Sequence, residues 1–434
     1  MSGIPQQDSP SASASAAGSG DAIVSTVSAA RNSGREFAGR PREAMALSAC
    51  VSACGAAYGV YFGLPLILVA LASTYGFNNP DLGWISAAEG AGLLLGAVGV
   101  SVLARWRSYK VLVAIGIGIA VVADIATVGI SGIAAFCAIR LLAGFGSGLC
   151  YSAAIGALSR SSRVDRSFSI LAAVLVVVNS LDLWLVPNVA ESWGIRGVYL
   201  SLACLYVLPA LLLRYVPGSP VRDADQRNAS SPAGAHDAPS VGMSQDLRRA
   251  LEWQCLLAVI LFNLGASAFY AYSGRIGTSS GLSEHSVSII LTLCNLISGT
   301  GSMLAYALSR RWGQHRPQLA ALTVMFAVFL TWALHLSAPT FMIGTLLFFE
   351  VWTIVVVFQL GTLSNIDGTG RKVALIPAAQ GIGQSAGPFV AGGLLAMNFS
   401  FSQMLLGASL FAAGSFGLYA GVYARLRRVD GARL

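Results

Sequence analysis

The chain has 434 residues, of which 55% are hydrophobic and only 11% are charged, and its formal net charge is +8. So little polar surface could not keep so much apolar material in water, so the composition excludes a soluble globule and predicts an integral membrane protein. The positive charge is therefore interpreted against a membrane, and no nucleic-acid partner is predicted.

Apolar runs of about 20 residues, the length that crosses a bilayer, recur along almost the whole chain. They predict an all-α integral membrane protein with twelve transmembrane helices in two six-helix, pseudo-symmetric bundles. The predicted passes are residues 44–72, 83–104, 111–130, 133–159, 167–190, 193–213, 251–275, 285–309, 318–336, 340–363, 372–396 and 402–424.

Three polar segments set the domain boundaries. Residues 1–43 have neither the apolar core nor the cleavage site of a signal peptide and predict a disordered tail. Residues 214–250 are rich in Pro, Ser, Asp and Ala and predict a flexible linker. The bundles are then residues 44–213 and 251–424, and a short tail, 425–434, follows.

Basic residues decide the predicted orientation. Almost all of the 27 Lys and Arg residues lie in the amino-terminal segment, in the connections after even-numbered passes, or at the carboxyl terminus. Because cytoplasmic loops carry the excess of basic residues, both termini are predicted to be cytoplasmic, in the cell or inner membrane.

The two bundles show weak internal similarity. "AYGVYFG" in pass one and "AFYAYSG" in pass seven share the pattern A-[YF]-x-x-Y-x-G at a shift of 211 residues. "SVLARWRSYK" after pass two aligns at a similar shift, 206, with "ALSRRWGQHR" after pass eight. Similar shifts in separate places predict a duplicated six-helix unit.

Pass four holds "RLLAGFGSG", which begins at Arg140 in an otherwise uncharged stretch. With the 6+6 layout and the two basic connections, this string makes residues 44–428 resemble the major facilitator superfamily, whose pass four carries an arginine followed by glycines at four, six and eight. The resemblance implies a secondary transporter that works by alternating access, with a central cavity lined by passes one, four, seven and ten.

The same resemblance assigns a gating role to the basic connections. The residues concerned are Arg105, Arg107, Lys110, Arg310 and Arg311. The chain departs from the family here, since it lacks the expected glycines and acidic residue in the first connection. The Gly- and Pro-rich antiporter signature of drug exporters is also missing from pass five, which favours uptake over drug efflux.

Two charged residues are the main candidates for transport. Glu350 lies about ten residues into pass ten, roughly 15 Å deep, and hydrocarbon surroundings favour the neutral form of a carboxyl group, so Glu350 is predicted to carry protons. Arg140 offers a fork of donors that suits a carboxylate on the substrate. Alternatively, Arg140 pairs with Asp124, which lies at a similar depth in pass three, and the pair only holds the two helices in register.

Further polar and aromatic residues are weaker candidates. Asp124, Glu89 and Asp182 are further candidates for proton coupling. Glu89 and Asp182 are predicted in the outer third of the membrane, where the alternatives are a gating role or carboxylates that simply reach water. Ring pairs and an amide pair at helical spacing are predicted either to contact the substrate or to pack between helices: Tyr58 with Tyr61, Phe269 with Tyr272, and Gln380 with Gln384.

Several function classes are excluded or disfavoured. The chain has no phosphate-binding G-x-x-x-x-G-K-[ST] string, which excludes an ATP-driven pump, and its scattered histidines disfavour an enzyme. Its seven cysteines are predicted to be free thiols, and no cofactor or metal is predicted. The duplicated halves favour a transporter over a channel.

The predicted function is proton-coupled symport of a small organic anion, such as an aromatic compound or a carboxylate, by a monomer in a lipid bilayer. Its partners are the solute and protons. Proton-driven efflux of a drug-like compound is the alternative, and a nutrient sensor with a transporter fold stays open.

Overall fold

A computed structural model of the protein describes residues 18–104, 106–130, 132–159, 164–217, 244–367 and 372–431. Within these residues the chain forms helices joined by short connections, without a strand. The helices are α1 Gly18–Tyr75, α2 Asn79–Leu103, α3 Tyr109–Thr127, α4 Ile133–Leu158, α5 Val164–Leu205, α6 Val207–Leu212, α7 Gln245–Ser279, α8 Glu284–Ile297, α9 Gly299–Trp312, α10 His315–Leu334, α11 Ala338–Ile366, α12 Ile376–Ala396 and α13 Phe401–Gly431.

Ten described segments are long and apolar enough to cross a membrane. One of them, Ser167–Tyr215, has 49 residues, so it would span about 74 Å, more than twice the hydrocarbon thickness. It bends at Gly194, whose φ of +66° suits glycine, and therefore holds two passes. With that division and the 21-residue helix α12, the described helices account for the twelve predicted passes.

The start of α2 differs from the prediction. Asn78 and Asp81 form a capping box, in which each side chain accepts a hydrogen bond from the other residue's backbone N–H, at 2.9 and 3.1 Å. The helix consequently begins at Asn79, before the predicted pass at 83. Glu89 is therefore ten residues into α2, about 15 Å along it, rather than near one end.

Two hydrophobic cores share helix α1. Residues 60–71 belong to the larger core, which also takes in residues of α7, α8 and α11 and so joins the two halves. Residues 49–57 belong to a second core, built only from the amino-terminal half. The two halves therefore meet along the carboxyl-terminal part of α1 and diverge near residue 57.

Helices α2 and α4 are in backbone contact along a glycine seam, formed by Gly92, Gly96, Gly144 and Gly148. A methyl group on any of these glycines would lie within 2.2 Å of a backbone atom of the facing helix. Small residues let membrane helices approach this closely, so the glycines after Arg140 have a packing role.

Candidate functional site: a polar cavity and a buried ion cluster

Arg140 on α4 is fully buried against α2 and α3, with an exposed fraction of 0%. Its Nη1 atom is 2.9 Å from Asp124 Oδ1 and 3.5 Å from Glu89 Oε2. Its Nη2 atom donates to the carbonyl oxygen of Ala123 at 3.2 Å and to Thr127 Oγ1 at 2.5 Å. One guanidinium therefore holds two buried carboxylates, and Asp124 is the nearer.

An aromatic ring closes this ion cluster. The guanidinium carbon of Arg140 lies 4.6 Å from the centroid of the Tyr199 ring, close enough for a cation–π interaction. Tyr199 reaches it because the chain turns back at Gly194. With both acids ionised, the cluster of Arg140, Asp124 and Glu89 has a net charge of −1, and with one acid protonated it is neutral.

A small cavity adjoins the ion cluster at the place where the two halves diverge. Four helices form its wall, three from the amino-terminal half and α12 from the other. The polar side chains on the wall are Tyr58, Tyr61, Glu89, Ser147, Gln384 and Ser385. Neither Arg140 nor any other basic residue is among the described residues that line it.

Glu89 connects the cavity to the ion cluster, since it lines the first and contacts Arg140 in the second. The cavity also brings together Tyr58, Tyr61 and Gln384, which are three of the other predicted site residues. The two tyrosine rings meet edge to face, with 5.8 Å between their centroids. Tyr61 also stacks on Tyr270 of the other half, with 6.0 Å between centroids.

Three other predicted residues lie away from the cavity wall. Phe269 is enclosed in the core of the carboxyl-terminal half, 4.4 Å from Trp332 between ring centroids. Tyr272 is also fully buried, and its hydroxyl donates to the carbonyl oxygen of Asn79 at 2.7 Å. Gln380 lies one turn before Gln384 and is not part of the lining.

Two predicted acids also lie elsewhere. Glu350 is half-buried on α11 and accepts a hydrogen bond from Thr300 Oγ1 of α9 at 2.7 Å. Asp182 is almost fully buried, and its Oδ2 atom has no hydrogen-bond partner among the described residues. Neither acid lines the cavity.

Hydrogen bonds join the two halves beside the cavity. The Asn179 side chain donates to Asn295 Oδ1 at 2.8 Å, and Asn295 in turn donates to Ser180 Oγ at 2.9 Å. The Tyr270 hydroxyl donates to the carbonyl oxygen of Phe62 at 2.7 Å. The sequence pattern missed Tyr270 because it occupies an unspecified position of the repeat, next to Phe269 and two residues before Tyr272.

The predicted gating residues are mostly at the surface. Arg107, Arg310 and Arg311 are exposed and Lys110 is half-buried, while Arg105 lies outside the described residues. Their gating role stays a prediction.

Comparison with known proteins gives a family and a fold. The family model described as Major Facilitator Superfamily matches residues 49–368. No curated protein matches this chain.

Solved structures with a similar fold include three transporters. The nucleoside transporter NupG is 15% identical, with 88% of this chain and 98% of that chain covered and a TM-score of 0.64. A peptide transporter POT variant in complex with sulfate is 14% identical, with 88% of this chain and 94% of that chain covered and a TM-score of 0.64. A D-xylose-proton symporter is 15% identical, with 86% of this chain and 96% of that chain covered and a TM-score of 0.65. Identities this low support the fold alone. Because the family model covers most of the chain, the protein belongs to the major facilitator superfamily and is a multi-pass membrane transporter rather than an enzyme.

Proposed function

We propose that this protein is a proton-coupled symporter that brings a small solute into the cell by alternating access, with Glu89 as its proton carrier. We further propose that it works as a monomer in the cell membrane, with both termini in the cytoplasm. The basic connections support this orientation. The fold it shares with a D-xylose-proton symporter supports coupling to protons.

The observation that carries the proposal is the double position of Glu89, on the cavity wall and 3.5 Å from Arg140. Asp124 lies closer to the same guanidinium, at 2.9 Å, and does not line the cavity. When Glu89 takes up a proton, Asp124 still neutralises Arg140, so no buried cation loses its counterion. When Glu89 loses the proton, Arg140 attracts the carboxylate.

This arrangement couples the proton to the solute. In the outward-open state, Glu89 is protonated and the solute enters the cavity beside it. The cluster is then neutral, so the loaded cavity closes without enclosing a net charge. After the cavity opens to the cytoplasm, where protons are scarcer, Glu89 releases its proton and the solute leaves.

The organic anion that the sequence suggests would have to reach Arg140. In this conformation Asp124, Glu89, Thr127 and Tyr199 enclose the guanidinium, and an anion would meet the Glu89 carboxylate first. Anion symport therefore requires Arg140 to leave Asp124 during the cycle.

Proton-driven efflux of a drug-like cation is the second candidate, favoured by the carboxylate on a described wall without basic residues. A cation would compete with the proton for Glu89, which makes the process an exchange. Binding of a cation would then release a proton, whereas binding of a neutral solute would not.

The test uses purified protein in sealed vesicles with an alkaline interior. Labelled nucleosides, pentoses and peptides, the solute classes of the similar structures, are offered outside. We expect accumulation that Glu89→Gln abolishes, while exchange of labelled for unlabelled solute continues. Glu350→Gln is the matched control and should keep accumulation, because Glu350 does not line the cavity.

The opposite pattern, with accumulation lost in Glu350→Gln and kept in Glu89→Gln, would assign the proton to Glu350. A second readout needs no solute. Infrared difference spectra between acid and alkaline pH should contain a protonated-carboxyl band that is missing in Glu89→Gln.

A further inference from the structure

The cavity wall carries polar groups that the protein itself does not satisfy. The Tyr61 hydroxyl is buried and has no hydrogen-bond partner among the described residues. Gln384 and Ser385, on the opposite wall, are half-buried and make no hydrogen bond to another described residue, so their polar atoms are available to a ligand. Because a buried hydroxyl is normally paired, Tyr61 together with these two side chains indicates a ligand with its own donors and acceptors.

The charge of the wall restricts that ligand. Its carboxylate, Glu89, is 5% exposed, and Arg140 behind it is 0% exposed. The guanidinium contacts Asp124, Thr127 and Glu89, and Arg140 does not line the cavity, so its charge is not accessible to a ligand there. Whether Glu89 is ionised or protonated, the described wall therefore offers an organic anion no accessible cation to compensate for the lost hydration.

The aromatic rings on the wall restrict the ligand further. Tyr58 packs against Tyr151 at 4.4 Å between centroids, so its ring is held in place on one wall. Tyr61 is held in the same way by Tyr270, and a fixed pair of rings favours a flat, aromatic partner.

We propose that the cavity takes an uncharged, ring-containing solute that has both hydrogen-bond donors and acceptors, and that it excludes organic anions. The Gln384 amide recognises one donor and one acceptor of this solute, and the rings of Tyr58 and Tyr61 contact its face. Glu89 in its neutral form adds a donor. The inference rests on the proposed function only in taking this cavity as the transport site.

The test compares three probes that share one ring and differ in charge: nicotinamide, nicotinate and 1-methylnicotinamide. Each is titrated against the purified full-length protein at neutral pH, and binding is followed by the shift in unfolding temperature. We expect nicotinamide to raise the unfolding temperature and nicotinate to leave it unchanged.

Two variants on one helix separate recognition from folding. Gln384→Ala should weaken nicotinamide binding about tenfold, as the loss of one or two neutral hydrogen bonds implies. Gln380→Ala is the matched control, since Gln380 lies one turn away and does not line the cavity. Gln384→Arg adds a cation to the wall, and this variant should bind nicotinate.

Nicotinate binding as tight as that of nicotinamide, or equal effects of Gln384→Ala and Gln380→Ala, would overturn the proposal. So would a preference for 1-methylnicotinamide, or binding of none of the three probes. These titrations need no proton gradient, so they test the solute class separately from proton coupling. If the titrations contradict the solute class, gradient-driven symport is unaffected. If the Glu89→Gln uptake test contradicts symport, the solute class is unaffected.

Discussion

Asn179 on α5 and Asn295 on α8 form an amide pair that joins the two halves of the transporter, with 2.8 Å from Nδ2 to Oδ1. Asn295 also donates to the carbonyl oxygen of Val176, and Asn179 accepts from the Tyr270 hydroxyl at 3.3 Å. Under the proposed alternating access, the halves would separate here, and these bonds would then belong to one conformation of the cycle.

We expect Asn179→Ala and Tyr270→Phe to shift the population away from the conformation described here, because each removes a bond made across the halves. Spin labels on Thr74 and Ser279, near the ends of α1 and α7, report the separation in a cysteine-free background. A longer distance should become more populated. Tyr419→Phe is the control, since the buried Tyr419 hydroxyl has no hydrogen-bond partner among the described residues. An unchanged distance distribution in both cross-half variants would argue against a gate at this place.

Asp124→Asn should destabilise the protein strongly, by about 3–5 kcal/mol, because it removes the nearer counterion of a buried arginine. Glu89→Gln should cost less, since Asp124 remains in place. Unfolding of the purified proteins in detergent measures both changes. Equal losses would mean that the two acids share the guanidinium equally, and Glu89 would then be a poor proton carrier.

The glycine seam can be tested with a pair of identical substitutions. Gly144→Ala would place a methyl group 2.1 Å from the carbonyl oxygen of Glu89, so α2 and α4 would have to move apart. We expect a loss of about 1–3 kcal/mol or more, as in overpacked cores. Gly118→Ala on α3 has open space around the added carbon and should be neutral or stabilising. Equal thermal stability of the two variants would contradict the close approach.

The bend at Gly194 gives a further prediction. Its φ of +66° and ψ of −173° lie in a region that is essentially restricted to glycine, and a side chain there costs about 1–3 kcal/mol. Gly194→Ala should therefore lower the unfolding temperature, whereas Gly118→Ala, within the regular helix α3, should not. If the two variants unfold together, the bend does not depend on this backbone conformation.

The sequence predicted the fold well because hydrocarbon thickness fixes the length of each pass. The depth of Glu89 was harder to predict, since the first turn of α2 is polar and does not look like part of a membrane span. Asn78 and Asp81 nevertheless start the helix there, which moves Glu89 inward to the cavity. A capping signal just outside an apolar run could have revealed this.

The internal repeat was a weaker guide to the site. It aligns Tyr58 with Phe269 and Tyr61 with Tyr272, yet the first member of each pair lines the cavity and the second is buried elsewhere. Helices α1 and α7 thus use equivalent positions differently, because only α1 leaves the shared core near residue 57. Whether a side chain faces the cavity or the core depends on where the two halves diverge, and the residue pattern of a single helix does not predict that position.

The seam between α2 and α4 also limits how transport can proceed. Backbones in direct contact cannot slide without a collision, so the helices bearing Glu89 and Arg140 travel as one rigid block. Under the proposed alternating access, Glu89 and Arg140 would therefore keep their spacing through the cycle. Helix α2 also approaches α12 closely, where a methyl group on Gly83 would lie 2.6 Å from Gly392 Cα, so any movement of the Gln384 wall relative to α2 has to open this second contact. In that cycle the solute would leave between α2 and α12, while the ion pair behind Glu89 would stay intact.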